Sequence, residues 1–320
     1  MSESGVRQRK KSSSDGKPPR KVKTIQNVNI SNPQSHRMWA RLVLIVGIAA
    51  IAYFTAFRTR EKKFATLKET LELRSQKLDC STPYFEEISK FSGCIPAHCG
   101  RFVSDKIVST TEVDALLKLA KAGFNFGRSA GGASILDLHS GALSKDTQFI
   151  NIYKIPEAKK IFTSEHINVY RQVKEKVQQA IADNFKISKA SISLTHPTFF
   201  SRLTNETAKT IHDEYWHAHV DKETYNSFHY TTLLYLTDFG KDFTGGRFVF
   251  IDNAGKHNKT NVYIEPKRGR VSGFTSGAEN VHHVEQVGSG VRYAMTISFT
   301  CNQEHAMADP QFAIEEDEEP

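Results

Sequence analysis

The longest apolar run in the chain is LVLIVGIAAIAYFTAF at 42 to 57, with Trp39 and Arg41 before it and Arg58 after it. With its flanks the run reaches about 20 residues, which at about 1.5 Å per residue crosses a hydrocarbon core of roughly 30 Å. It is expected to be one transmembrane helix, Arg41 snorkelling and Trp39 seated in the interface. A cleaved signal peptide fits less well, because the run lies deep behind a long basic region. Next, EKKFATLKETLELRSQKL at 61 to 78 sets Phe64, Leu67, Leu71 and Leu78 at heptad-like spacing. That predicts a stalk helix, either pairing with its copy in a homodimer or standing alone as an amphipathic helix, since under three heptads is short. Further on, Thr110 is placed to cap a helix with Val113, Leu116, Leu117, Ala120 and Phe124 on one stripe. A second helix near 165 to 184 carries Val169, Val173, Val177 and Ala180. From 190 to 302 the pattern becomes strand-like, in TTLLYLTDF at 231 to 239, TGGRFVF at 244 to 250 and PKRGRVSGF at 266 to 274. The expected fold is α+β and mainly β: a jelly roll, or double-stranded β-helix, with supporting helices.

Charge divides the chain more sharply than its length of 320 residues does. Residues 1 to 41 hold ten Lys or Arg against two acids, a balance equal to the whole net charge of +8, so residues 42 to 320 sum to zero. A neutral folded part lacks the broad basic footprint of a nucleic-acid groove, and no nucleic-acid partner is expected. Five segments follow: a basic disordered tail (1–41), the membrane anchor (42–57), a stalk and Cys-containing linker (58–100), one catalytic domain (101–310, motif core 190–302), and an acidic tail (311–320). The tail RQRKKSSSDGKPPRKVK resembles a nuclear signal, but beside a membrane span it reads as a cytosolic tail touching anionic lipid.

Chemistry gathers in HAHVDK and ENVHHVEQVGSGVRY, which carry His219, Asp221 and His282. Two imidazoles and one carboxylate fill one triangular face of a six-coordinate Fe(II) and leave the other face open. On a strand, His219 and Asp221 share a face while Val220 points into packing, and a sheet that folds back brings His282 beside them. His217 shares that face and is a formal competitor; His283 is adjacent to His282 but points oppositely.

The ordered set around these residues resembles the catalytic core of the prolyl 4-hydroxylase-like iron(II) and 2-oxoglutarate-dependent oxygenases. The Tyr-Leu strand, the Gly-Gly pair and the closing His282, Val287, Gly290 and Arg292 carry the resemblance, over roughly 190 to 302. Gln286 stands where the family pattern has proline, at a turn and not at a ligand. The resemblance implies Fe(II) on His219, Asp221 and His282, 2-oxoglutarate as co-substrate, and consumption of O2 with release of succinate and CO2. It places Arg292 on the far carboxylate of 2-oxoglutarate, where a planar guanidinium binds bidentately, with hydroxyls from Tyr235 and Thr231 added. L-ascorbate is an expected accessory. The implied substrate is a protein or peptide side chain, prolyl by family company; a catalytically idle oxygenase fold kept for binding is the alternative. His212 lies on a loop where it could touch substrate.

Topology and cysteines point the same way. The tail has ten basic residues and 58 to 78 has seven, so the N-terminus is expected in the cytosol and the catalytic domain in the lumen of the ER or Golgi or outside the cell, as a type II protein. Cys80, Cys94, Cys99 and Cys301 all lie beyond the apolar run, which predicts two disulfides with three open pairings. A zinc site is the alternative, weakened by the loose C-x4-C spacing. Asn205 in NET and Asn258 in NKT are N-glycosylation acceptor patterns on that side.

Overall fold

The computed structural model describes residues 33–56, 60–255 and 259–310, and the chain divides into two units after residue 56. The basic tail up to residue 32, the acidic tail 311–320 and Asn258 lie outside the described residues. In the first unit, helix α1 (Pro33–Ala56) carries the apolar run up to residue 56, and its side chains from Leu42 to Ile51 that are large and apolar are exposed. Among the described residues no helix is long and apolar enough to cross a membrane. The side chains at 52 and 54–57, which complete the run, are outside the described set.

The second unit begins with β1 (Arg60–Ala65) and β2 (Arg74–Leu78), and this corrects the expected stalk. Residues 61–78 do not form one helix: β1 pairs in parallel with residues 260–264, and β2 pairs antiparallel with residues 99–103. Phe64 and Leu71 are buried between sheets rather than along a helical seam. Pairing with an existing edge and burial of Phe64 outweigh the local heptad pattern. Residues 60–100 therefore belong to the folded unit, and the helix through which a homodimer was expected is not formed.

The chain continues through α2 (Thr82–Ile88), β3 (Cys99–Ser104), α3 (Thr110–Phe124), β4 (Ala133–Leu136), β5 (Ala142–Lys145), β6 (Gln148–Asn151), α4 (Pro156–Lys159) and α5 (Ser164–Phe185). The cap of α3 is Ser109, one residue before the expected Thr110, in a reciprocal capping box with Glu112. Then come β7 (Ser193–Leu194), β8 (Phe199–Leu203), α6 (Asp221–Thr224), β9 (Tyr230–Tyr235), β10 (Phe243–Gly245), β11 (Phe248–Asp252) and β12 (Thr260–Ile264). The last strands are β13 (Val271–Thr275), β14 (His282–Val284), β15 (Val287–Gly290) and β16 (Arg292–Thr300).

Among the described residues these strands make a large sheet, β2-β3-β13-β9-β16-β8-β4-β5-β6 with β7 beside β16, a small one, β1-β12-β11-β14, and a two-stranded pair, β10-β15. His219 forms an isolated antiparallel bridge with His282, so the segment before α6 lies along the free side of β14. Following the chain, β8 lies in the large sheet, His219 joins the small one, β9 returns to the large, β11 and β12 to the small, β13 to the large, β14 to the small and β16 to the large. Strands that alternate between two facing sheets are the jelly roll expected from the sequence. Period-two alternation fills both sides of β9: Tyr230 and Leu234 face a core shared with α3 and α5, while Leu233 and Tyr235 face a second core against Phe248, Phe250, Val262 and Ile264. The site described below opens from that second interior.

The cysteines pair Cys80–Cys99 and Cys94–Cys301, and neither pair is left for zinc. Cys94–Cys301 ties the loop before β3 to the residue after β16 across 207 positions. Replacing both Cys94 and Cys301 by Ser is expected to lower stability by roughly 2–5 kcal/mol, because the closed loop is long; an unchanged denaturation midpoint would show the bridge to be idle.

His229 sits behind this bridge, 1 % exposed, its Nδ1 accepting the Cys301 amide at 3.1 Å. Burial, then the nearby Lys222 charge, lower its pKa from 6.5 to about 4, while Glu87 pulls the other way. The folded protein thus binds fewer protons here than the unfolded chain. The associated stability is fully present above the unfolded value and is lost as pH falls from about 6.5 towards about 4. Between pH 7 and pH 5 the loss is expected to be roughly 2 kcal/mol. Chemical denaturation at both pH values should show a shallower dependence in His229→Asn, and an identical slope would remove His229 as the cause.

Candidate active site

His219 and Asp221 do not occupy one strand. His219 exchanges two backbone hydrogen bonds with His282, at 2.9 and 3.0 Å, and the chain then turns into α6, of which Asp221 is the first residue. Val220 is buried between them, as the two-residue spacing predicted. The bridge itself brings the imidazoles together, with ring centroids 4.4 Å apart. His219, Asp221 and His282 offer ligand atoms that all lie within 4.8 Å of one another.

Hydrogen bonds aim both rings. His219 Nδ1 lies 2.9 Å from the carbonyl of His217, and His282 Nδ1 lies 2.9 Å from the carbonyl of Asn280. A carbonyl only accepts, so each Nδ1 carries the proton and each Nε2 keeps its lone pair for a metal. Each Nε2 stands 3.5 Å from Asp221 Oδ1. The His282 ring is stacked on Phe248 at 5.0 Å and edged by Phe274 at 4.8 Å, which fixes it inside the sheet. His219 is the open side of the triad, with its side chain 40 % accessible.

Both register ambiguities are resolved by these contacts. His217 contributes its carbonyl, while its ring turns outward to Glu214 at 2.7 Å. His283 pairs opposite Val249 on the other face of the small sheet and is not among the clustered ligands.

Electrostatics suit a cation. Burial opposes ionisation of Asp221, but the adjacent His282 and His219, with the Thr231 hydroxyl, hold its carboxyl well below the usual range. Burial also disfavours the protonated form of His219, yet Asp221 and the His217 carbonyl raise its pKa overall. Asp221 Oδ2 is buried without a hydrogen-bond partner. A buried carboxylate oxygen with nothing to bind is costly unless a ligand completes it. The donor set of two imidazole nitrogens and one carboxylate therefore fits Fe(II).

Arg292 opens β16 and is 1 % exposed. Its Nε donates to the Gly246 carbonyl at 2.9 Å, and its Nη2 is buried with no partner. Gly246 has φ +61°, and a Cβ there would come within 3.1 Å of Arg292 Cδ, so the Gly-Gly turn lets the backbone approach the guanidinium. Tyr235 lies under that guanidinium, 5.5 Å from ring centroid to Cζ, and its hydroxyl is held by Ser272 at 3.0 Å.

Thr231 departs from its expected place. It hydrogen-bonds Ser276 at 2.9 Å and stands beside Asp221, opposite Ser298, whereas Tyr235 pairs opposite Ala294 nearer Arg292. Four residues along a strand span roughly 13 Å, so sharing a face did not bring the two hydroxyls to one carboxylate. Thr231 stands at the triad end of the cavity.

A cavity of about 240 Å³ contains the triad, Thr231 and Arg292, so the metal end and the cationic end share one space. His212 lines it from a turn at Ile211–Asp213. Buried Asp213 pins that turn by accepting from Ser129 Oγ at 2.6 Å and from the Lys209 and Thr210 amides at 3.1 and 2.9 Å. Among the lining residues that escaped the sequence reading are two tyrosines. Tyr215 donates its hydroxyl to the Thr204 carbonyl at 3.1 Å and receives the Val287 amide at 3.0 Å; Tyr225 is stacked on Phe228 at 4.8 Å. The only sequence signal for either was an aromatic close to H-x-D. Asn205 is exposed, as an acceptor site must be.

Comparison with known proteins gives the same reading. The family model described as the 2OG-Fe(II) oxygenase superfamily matches residues 205–300. The Xenopus tropicalis protein named 2-oxoglutarate and iron-dependent oxygenase domain-containing protein 3 is 51% identical over 248 residues, 77% of this chain and 76% of that one. The Homo sapiens protein of that name is 49% identical over 246 residues, 76% and 75% of the two chains. Prolyl 3-hydroxylase 1 of Rattus norvegicus is 26% identical over 231 residues, 65% of this chain and 30% of that one.

Proposed function

Since the chain belongs to the 2OG-Fe(II) oxygenase superfamily, we propose that it is a membrane-anchored hydroxylase of protein or peptide side chains in the secretory pathway. Family membership makes it an oxidoreductase, a dioxygenase using iron(II), 2-oxoglutarate and O2. The observation that carries the catalytic reading is the pair of buried, unpartnered polar atoms in one cavity, Asp221 Oδ2 and Arg292 Nη2.

His219, Asp221 and His282 would hold iron, and Arg292 would hold the far carboxylate of 2-oxoglutarate. Bound together, these groups supply an oxidation that inserts oxygen into a C–H bond and releases succinate and CO2. The chain positions and shields. The His217 and Asn280 carbonyls keep both Nε2 lone pairs directed inward, Asp221 stays ionised, and Phe248 and Phe274 exclude water from the His282 side.

Besides the triad, Arg292 and His212, the cavity wall is apolar or hydroxyl-bearing. That composition supports an uncharged target side chain, and the name of the prolyl 3-hydroxylase relative supports proline. Ascorbate is the proposed reductant that keeps the iron in its ferrous state. The apolar run 42–57 supports a type II anchor, and the two disulfides support a luminal or extracellular catalytic unit with a glycan at Asn205.

The test compares cells holding the intact protein with cells holding Asp221→Ala, scanning luminal proteins for modifications of about +16 Da. Sites present only with the intact protein are expected; identical maps would overturn the hydroxylase reading. Glycosidase digestion that speeds gel migration of the intact protein, with the change reduced in Asn205→Gln, checks the compartment.

A further inference from the structure

A second cavity, of about 460 Å³, adjoins the first and shares Tyr215 with it. Its charged lining groups are Glu206 and Glu214, and its aromatic ones are Tyr215 and Trp216; no Lys, Arg or His is among the residues that line it. Trp216 is half-buried, with the Tyr215 ring edge-on at 5.3 Å and the His217 ring at 5.8 Å. Glu206 accepts the Thr204 hydroxyl at 3.1 Å, and Glu214 is met at 2.7 Å by His217 from outside the wall. Gln286, which stands where the family pattern has proline, lines the same space and adds a neutral amide.

An indole face beside two carboxylates attracts a cation twice, through the ring quadrupole and through charge. The volume accommodates an extended basic side chain, while the position across Tyr215 makes it a neighbour of whatever residue enters the metal cavity. We infer that this second cavity is a subsite for a lysine or arginine side chain of the polypeptide being oxidised. That the cation belongs to the substrate rests on the hydroxylase reading above. The cation preference rests on this cavity alone.

Trp39 and Trp216 are the chain's two tryptophans, so the full chain carrying Trp39→Phe reports on Trp216 only. With Asn205→Gln also in place, because Asn205 lines this cavity, and without metal or 2-oxoglutarate, it is titrated with acetyl-Gly-Arg-Gly-amide, its Lys counterpart and its Gln counterpart. The Arg and Lys peptides are expected to change Trp216 emission saturably and the Gln peptide not to. The exposed pair Glu206→Gln and Glu214→Gln together should weaken the Arg peptide by roughly tenfold. An equal response to the Gln peptide, an absent response, or unchanged affinity in the double variant would overturn the subsite. Because no turnover is read, loss of the hydroxylase reading and loss of the subsite give different results.

Discussion

Asp221→Ala is expected to abolish 2-oxoglutarate turnover and to weaken divalent metal binding by more than about 100-fold, since second-sphere changes alone cost 10–100-fold. The carboxylate is the one anionic member of the triad, and both Nε2 atoms stand 3.5 Å from its Oδ1. Without it the two imidazoles are neutral donors with no charge to offset a dication. Stability should change less than metal affinity. Asp221 is buried with Oδ2 unpartnered, which costs about 1–3 kcal/mol in the metal-free protein, while the His282, His219 and Thr231 contacts that hold its carboxyl below the usual range offset that cost. The metal-free variant should therefore melt near the parent, while succinate release falls to background and calorimetric titration with Mn(II) shows no saturable site. Full turnover in this variant would remove the triad from the chemistry. An unfolded variant would instead assign Asp221 a structural role.

Arg292→Ala is expected to raise the KM for 2-oxoglutarate by roughly 30- to 1,000-fold, the equivalent of about 2–4 kcal/mol for a desolvated charge-assisted contact. Metal affinity should stay near that of the parent, because Arg292 lies at the opposite end of the cavity from the triad's ligand atoms. Arg292→Lys should recover only part of the loss, since an ammonium gives a point charge where the guanidinium gives a fork. A 2-oxo acid lacking the far carboxylate provides the control: the parent should discriminate strongly against it, and Arg292→Ala should not. Equal discrimination in both proteins would show that the buried Nη2 serves another partner.

Trp216 and His229 test parts of the molecule that neither variant reaches. The first reads recognition beyond the oxidised residue, and the second reads the packing behind Cys94–Cys301. Their outcomes are independent of iron.

His219, Asp221, His282 and Arg292 were legible in the sequence because an H-x-D pair, a Gly-Gly turn and a spaced histidine and arginine have few uses in combination. The helices at 110 and 164 were legible too, since their apolar stripes repeat at 3.6 residues and survive in the buried faces of α3 and α5. Local pattern misled at 61–78, where Phe64 and Leu71 fit a heptad yet pack between sheets. It did not reveal at Thr231, which shares a strand face with Tyr235, that the side chain stands beside Asp221 while Tyr235 lies by Arg292.

Sequence alone determined which donors this protein possesses, because ligand chemistry belongs to residue type and short-range order carries the motif. Tertiary structure decided which atom of each donor is presented. The His217 and Asn280 carbonyls set the tautomers, the His219–His282 bridge sets the ring separation, and the cysteines pair as 80 with 99 and 94 with 301. It also placed Tyr215 between two cavities and brought Glu206, Trp216 and Gln286 to one wall. Apart from the two carbonyl–imidazole contacts, each made two residues along the chain, those relations join separate segments, and their energies come from pairing and burial that no local window contains.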